Sequence, residues 1–537
     1  MPSNATKSTV REFVSRRRVL GRNSGIFVIA AIRSYRLGLS IGDYFFMTNN
    51  SYTVTTRVPP EVDIQPADMR ALLDRQRASF LADGIPTYDA RIDRLDRLIT
   101  MLVDNKDEIT ATLTADYGTR SVATSLFAEV WHVVESLKYY KLHLREWMQP
   151  EIHEALLPDS EARVEFQPKG VVGVLSAWNV PWTLAFIPVG SIFAAGNRCM
   201  LKPSELTPKT SALMARLVAQ LFDKSELVVI QGGQTIGAAF TSLPFDHLIY
   251  TGSTRVGIAI MRAAAENLTP LTLELGGKSP VLIGRSADLA DAVRRVMTAK
   301  IFNAGQGCLL PDYVMVPKGF EDEFVVHATM AIKTMFGALK DNPDYTSIIN
   351  DRHFGRLRSW IEEARQKGAK VIELNPAAED LSNPTLRRIA PTLILDATEE
   401  MTVLKEEIFG PILPVLTYDS IDDAIAYVRN HPHPLTFYYF GQDEGEERLV
   451  LDQTVSGGVT VNDCLTHALA KSLPFGGIGH SGMGAYGGKA GFLTFSHARS
   501  IYRQGKSSKA ELALRPPFTP AFQASLTEAI NRGNFKE

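Results

Sequence analysis

The chain has 537 residues, room for three or four units at roughly 150 residues per domain, and its 57 Lys+Arg against 59 Asp+Glu leave a net charge of −2. That balance excludes a generally basic nucleic-acid binder and a long acidic tail, while 45% hydrophobic and 22% charged residues exclude a disordered chain. Three cysteines, Cys199, Cys308 and Cys464, are too few for a disulfide framework, and the absence of a CxxC pair or an HExxH string argues against a metal site.

Residues 1–46 differ from the rest. Arg11, Arg16, Arg17, Arg18, Arg22, Arg33 and Arg36 stand against only Glu12 and Asp43. The string SRRRVL at 15–20 is a weak export signal, because the apolar run from Ile26 to Ile32 is short, stopped by Arg33, and followed by no small-residue cleavage site. The segment reads as a disordered extension, or as sequence upstream of a true start at Met47. No run in the chain reaches about 18 uninterrupted apolar residues, so no membrane span is expected.

From Asp68 to about Met148 the apolar residues recur every three or four positions, with Arg and Asp on the other face, which predicts a helical layer. The Pro-flanked ARVEFQPKG lies in a predicted extended arm over 151–169. At 170 the period changes. Val171–Leu175, Cys199–Leu201, Leu227–Ile230, His247–Tyr250 and Leu271–Leu275 read as strands, separated by helices over Leu184–Ala195, Lys209–Leu221, Thr235–Thr241 and Arg255–Ala265. This alternation predicts a doubly wound parallel sheet covered by helices on both faces, with ligands at the carboxyl ends of its strands. A second α/β unit follows, with helices over Ala287–Phe302 and Gly319–Phe336 and strands at Tyr313–Val316, Thr392–Leu395 and Leu413–Leu416. A Gly-rich segment spans 475–492.

Several residues could carry chemistry. Cys308 sits in the loop FNAGQGC after a helix. A free thiol is mostly protonated near neutrality, so a nucleophilic cysteine needs nearby N–H groups or a base; otherwise it is a small buried hydrophobe, as Cys199 and Cys464 look to be. Glu274 ends an apolar strand before Gly276 and Gly277. Buried there it is either a base of raised pKa or the partner of Lys278 or a helix terminus. Asn179 follows a strand and precedes Pro181 by two positions, so its amide can donate to an oxyanion or simply form an Asx turn. The loop TGSTRVG at 251–257 opens a helix that Ser253 or Thr254 could cap, with free N–H groups for a phosphate. Lys202 and Glu205 could bracket a ribose or be a plain helix-end charge and an exposed lysine.

Taken together, WNVPW, LKPSELTP, YTGSTRVG, LELGGKSP, FNAGQGC, EEIFGP and LPFGGIGHSGMGAYGGK occur in the order and spacing of the aldehyde dehydrogenase superfamily, over about residues 65–505. The single-Pro EEIFGPILPV and SLPFGGIGHSGMGAY resemble its class 3 branch, and LADGIPTYDARIDRLDRLITMLVDNKD resembles the bacterial coniferyl aldehyde dehydrogenases within it. The resemblance implies a bilobal α/β fold: a Rossmann-like cofactor domain over 47–275 carrying the 151–169 arm, a catalytic domain over 276–460, a return segment with an oligomerisation strand over 461–505, and a tail over 506–537. It implies oxidation of an aldehyde, aromatic or otherwise apolar, to its acid with NAD, NADP being the alternative. It casts Cys308 as nucleophile, Asn179 and the Cys308 N–H as oxyanion hole, and Glu274 as the base that hydrolyses the thioester. Trp178, Lys202, Glu205, Ser253, Glu407 and Phe409 match cofactor contacts. Trp182, Tyr313, Phe475 and His467 are pocket neighbours or core. A cytoplasmic homodimer with no nucleic-acid partner is implied. Two departures stand out: Gly307, where the branch usually has Thr, and Gly488, where it often has His.

Overall fold

The computed structural model describes residues 64–157, 159–506 and 515–533, so the expectations for residues 1–46 lie outside the described part. The helical layer comprises Pro66–Asp83, Tyr88–Asp104 and Lys106–Tyr117, then a short helix Val122–Ser125 that widens into a π-turn, Leu126–Trp131, and continues as His132–Trp147. Thr87 caps the second helix by accepting from the Ala90 N–H at 3.2 Å. Its buried face carries Leu95, Leu98, Met101 and Leu102, as the periodicity predicts, but also Arg91 and Arg94. These two arginines were expected on the solvent face. Arg91 is 2% exposed and donates from Nη1 to the Ala194 carbonyl at 2.9 Å, while Arg94 pairs with Glu226 at 3.0 Å. A buried guanidinium is tolerated here because it satisfies carbonyls at the C-terminal end of the helix Pro181–Ala195.

The first large sheet has six strands in the order 482–483, 271–274, 247–251, 171–175, 198–202, 227–229, all parallel except the antiparallel 482–483. The chain runs outward from 171–175 to 227–229 and then returns to lie beside 171–175 at 247–251. That reversal opens a crevice at the strands' carboxyl ends, the place where doubly wound sheets take ligands. The strand Val171–Leu175 and its neighbours are buried along their whole length, which explains why they read as continuous apolar runs rather than alternating ones.

The second sheet has seven strands in the order 370–373, 392–395, 412–418, 313–317, 280–283, 436–440, 458–461. Only 370–373 is antiparallel to its neighbour. A separate three-stranded antiparallel sheet joins 151–153, 161–168 and 496–503, and the last two pair over eight residues from Ser496↔Pro168 to Arg503↔Glu161. A final helix, Pro520–Arg532, buries none of its residues. No helix among the described residues is long and apolar enough to cross a membrane.

Candidate active site

Cys308 follows the helix Leu289–Ile301 through a tight turn in which Asn303, Ala304 and Gly305 all have positive φ, at 50°, 52° and 77°. Asn and Gly visit this region readily; Ala304 does so only under compulsion from its surroundings. The compulsion comes from side chains within the turn. Asn303 donates from Nδ2 to the carbonyls of Asn179 and Gln306, both at 3.1 Å. Gln306 donates back to the Asn303 carbonyl at 3.0 Å and to Ser347 at 3.1 Å, and its Oε1 accepts from the Ile349 N–H at 2.9 Å. A Cβ on Gly305 would lie 2.1 Å from the Gly410 carbonyl oxygen, so the EEIFGP loop packs directly on this turn.

Asn179 is fixed through its main chain. Its carbonyl accepts from Tyr117 Oη at 3.0 Å, Arg120 Nη1 at 3.1 Å and Asn303 Nδ2. Arg120 is itself held by a fully buried ion pair to Glu129 at 2.6 Å. The other Glu129 oxygen accepts from the N–H groups of Trp182 (2.9 Å) and Thr183 (3.3 Å) at the start of the helix Pro181–Ala195. The Asn179 side-chain amide makes no hydrogen bond among the described residues, which removes the Asx-turn alternative.

Glu274 is buried at the end of its strand, and neither carboxyl oxygen has a hydrogen-bond partner. Burial raises its pKa well above the usual carboxylate range. The alternative of a pair with Lys278 is excluded: that ammonium binds Asp312 and the Val403 carbonyl. Glu407 is half-buried, with Oε1 closed to solvent and unpartnered. Burial, then the nearby Asp312, pushes its carboxyl up to about 8, against the Gly277 N–H. The loop is anchored by Ile408, whose N–H donates to Asp312 at 2.8 Å and whose carbonyl accepts from Arg356 at 2.7 Å.

A cavity of about 280 Å³ gathers Trp178, Asn179, Ser253, Glu274, Cys308, Glu407 and Phe409 on one lining. Trp178 packs edge-on against Phe409, ring centroids 5.4 Å apart. Lys202 and Glu205 are not on this lining; they form an ion pair at 3.2 Å. The expectation of an exposed lysine fails there, since Lys202 is buried. Ser253 is the residue before the helix Thr254–Ala265, but its side chain makes no capping bond. Thr254 does not cap either; its hydroxyl donates to the His480 carbonyl at 3.2 Å. The N–H groups of Thr254 and Arg255 therefore stay available to an anion, while that of Val256 donates to the Ser253 carbonyl at 3.1 Å. An uncapped helix start, an orphaned Glu407 oxygen and a Lys–Glu pair beside it suit a phosphate, a ribose hydroxyl and a second ribose, so these residues fit a dinucleotide.

Cys308 also lines a second, smaller cavity of about 110 Å³, mostly apolar, with Val180, Leu184, Ile187, Phe475 and Tyr486 around it. Of the suggested pocket neighbours only Phe475 belongs. Trp182 is fully buried and stacked on Phe186 at 5.3 Å. Tyr313 lies in the core of the second sheet, and His467 bonds Thr460 at 2.7 Å. Gly488 lines this cavity at φ 53°, and a Cβ there would come within 2.5 Å of the Lys471 carbonyl oxygen, so the segment before Phe475 sits closer than a histidine would allow.

The thiol itself is pushed up to about 12, by burial first and then by the Glu407 and Glu274 carboxylates; the N–H groups of Cys308 and Leu309 oppose this without prevailing. The help from backbone N–H groups that the loop suggested is thus present but outweighed. Asn303 and Gln306 escaped notice although both lie in the FNAGQGC string, where two amides beside a cysteine were the available signal. Tyr117, Arg120 and Glu129 had none, being far from any motif.

The profile of the aldehyde dehydrogenase family matches residues 63–501. The chain is 53% identical over 459 residues to a coniferyl aldehyde dehydrogenase of Pseudomonas sp. (strain HR199), covering 86% of this chain and 95% of that protein. It is 37% identical over 450 residues to the dimeric NADP-preferring aldehyde dehydrogenase of Rattus norvegicus, covering 83% and 97%. Among solved structures, the substrate-bound AldH of Staphylococcus aureus superposes with a TM-score of 0.81 at 32% identity, over 86% of this chain and 99% of that one.

Proposed function

The chain belongs to the aldehyde dehydrogenase family, and we propose that Cys308 is its nucleophile, Glu274 its base, Asn179 part of its oxyanion hole, and an aromatic aldehyde of the coniferyl type its substrate. The enzyme oxidises an aldehyde to the carboxylic acid with NAD or NADP. The observation that carries the assignment is the buried, partnerless Glu274 carboxyl sharing one cavity with Cys308 and Asn179.

The proton on Cys308 needs an acceptor, and Glu274 is an unpaired one on the same lining. Sγ then adds to the aldehyde carbon, and the oxyanion is held by the Asn179 amide and the Cys308 N–H. When bound, NAD(P)+ supplies a hydride acceptor at its nicotinamide. Loss of hydride from the carbon of the adduct leaves a thioester on Cys308. Glu274, having passed the thiol's proton to solvent, takes a proton from a water molecule that attacks the thioester; the C–S bond breaks, the leaving thiolate takes that proton from Glu274, and the acid and free thiol are released. Glu407 and Phe409 would hold the nicotinamide side, Trp178 and Ser253 the pyrophosphate, and Lys202 with Glu205 the adenosine ribose. Glu205 favours NAD, since a carboxylate accepts from a ribose 2′-OH and repels a 2′-phosphate. A homodimer built through the three-stranded sheet and a cytoplasmic location complete the reading; three free thiols suit a reducing compartment.

Purified protein with coniferyl aldehyde and NAD+ is expected to form NADH, Cys308→Ser is expected to lose this activity to background, and NADP+ is expected to give the lower kcat/KM. An active Cys308→Ser enzyme would overturn the mechanism, and a panel in which alkanals outrank aryl aldehydes would overturn the substrate class.

A further inference from the structure

The geometry points to His132 as the binding residue for a hydroxyl group on the aromatic ring of the aldehyde. The inference rests on the reading of Cys308 as nucleophile and of an aryl aldehyde as substrate. The smaller cavity beside Cys308 is where such a ring would lie: its lining is mainly aliphatic and aromatic, and it opens on the thiol from the side away from the cofactor residues.

Few polar atoms reach that lining, and most are already engaged. The Thr183 hydroxyl donates to the Ala128 carbonyl. Ser136 Oγ donates to the His132 carbonyl at 2.7 Å. The Lys471 ammonium lies over the Trp131 ring, 5.1 Å from its centroid. The Tyr140 hydroxyl is closed to solvent without a hydrogen-bond partner, with Ser191 and the Gly488 main chain as its neighbours. His132 Nδ1 is likewise closed to solvent and has no hydrogen-bond partner, and it is the ring nitrogen of this lining. A buried polar atom left unpaired is costly, so one that lines a ligand cavity is a recognition group awaiting its partner.

The chemistry of the partner follows from the ring. Burial first, and the Lys471 charge second, push the His132 imidazole down to about 4, so it is neutral at physiological pH. A neutral imidazole nitrogen is an acceptor or a donor according to tautomer, and a phenolic hydroxyl serves either. A carboxylate or a sulfate would need a cation here and would find only the Lys471 ammonium, already over a ring. His132 is the first residue after the π-turn Leu126–Trp131, and such turns recur at functional sites. This one sets Glu129 on Arg120 and His132 on the cavity wall.

The test is the ratio of kcat/KM for 4-hydroxycinnamaldehyde over cinnamaldehyde, because active fraction cancels within one preparation. The wild-type ratio is expected to be about 10 to 100, to collapse towards one in His132→Leu, and to be partly kept in His132→Gln, whose amide still hydrogen-bonds. A wild-type ratio near one, or an unchanged ratio in His132→Leu, overturns the role of His132 while leaving the aromatic substrate standing. If neither cinnamaldehyde is oxidised while Cys308-dependent turnover of an alkanal persists, the substrate reading falls and takes this inference with it.

Discussion

Glu274 and Cys308 hold their protons unusually tightly, the thiol in part because of the carboxyl. The thiol is raised by burial and by two neighbouring carboxylates; Glu274 is raised by burial alone. Neither is an activated group in isolation, but a proton passing from one to the other stays within one cavity. Such a carboxyl is a liability for the fold. Its folded pKa lies above its unfolded value of about 4.3, so its contribution to stability is full below that value and is lost as pH rises through the folded one. Glu274→Gln should therefore melt above the wild type, with a gap that widens as pH rises from the ordinary carboxylate range and levels off beyond the folded pKa. The same variant should give no burst of NADH ahead of its slow turnover, because thiol deprotonation and thioester hydrolysis have both lost their base. Thermal midpoints across a pH series and a stopped-flow trace check the two halves, and a wild type more stable than the variant at alkaline pH would contradict the burial argument.

At the scale of elements, the helical layer reaches into the site through one buried ion pair. Arg120 joins the Asn179 carbonyl to Glu129, and Glu129 joins both to the first turn of the helix Pro181–Ala195. Arg120→Met leaves a buried carboxylate without its cation, at a cost of about 3–5 kcal/mol. It also removes one of the three donors to the Asn179 carbonyl, so kcat should fall more than KM rises. Adding Glu129→Gln should recover much of the lost stability but not the activity, and urea midpoints with a double-mutant cycle would show this. Nothing in the sequence announced this pair, because hydrophobic periodicity assigns arginines to the solvent face by default; Arg91 and Arg94 were misplaced for the same reason. The parallel strands of the first sheet were legible because burial on both faces makes them continuous apolar runs. In the second sheet the strands Lys370–Glu373 and Gly458–Val461 escaped as short, partly exposed edges, and Pro280–Ile283 because it begins with proline. Phe437–Phe440, a fully buried aromatic run, carried a signal that went unread. The Cys308 loop was visible as a motif, whereas its three consecutive left-handed residues depend on Asn179, Ser347 and Ile349, which are distant in sequence.

For the whole molecule, the active cavity draws on both large sheets: Glu274 ends a strand of the first, and Cys308 precedes a strand of the second by five positions. The three-stranded sheet belongs to neither. Its strand Ser496–Arg503 pairs with Glu161–Pro168 on one side, and its other edge has no strand partner among the described residues. An unpaired edge eight residues long is a template for another chain unless it is covered. The same sheet region exposes apolar side chains that a monomer has no reason to present: Ile152 at 77%, Leu156 at 81% and Tyr502 at 46%. A symmetric pairing of two copies through this sheet would cover both features with one self-complementary surface. Sedimentation velocity at micromolar concentration should therefore give a dimer, and Ile152→Asp with Leu156→Asp should shift it towards monomer, since each dimer would bury four new carboxylates. These positions line neither of the two cavities that Cys308 shares, so a monomeric variant should still bind cofactor. A wild-type monomer, or a variant that sediments unchanged, would place the interface elsewhere.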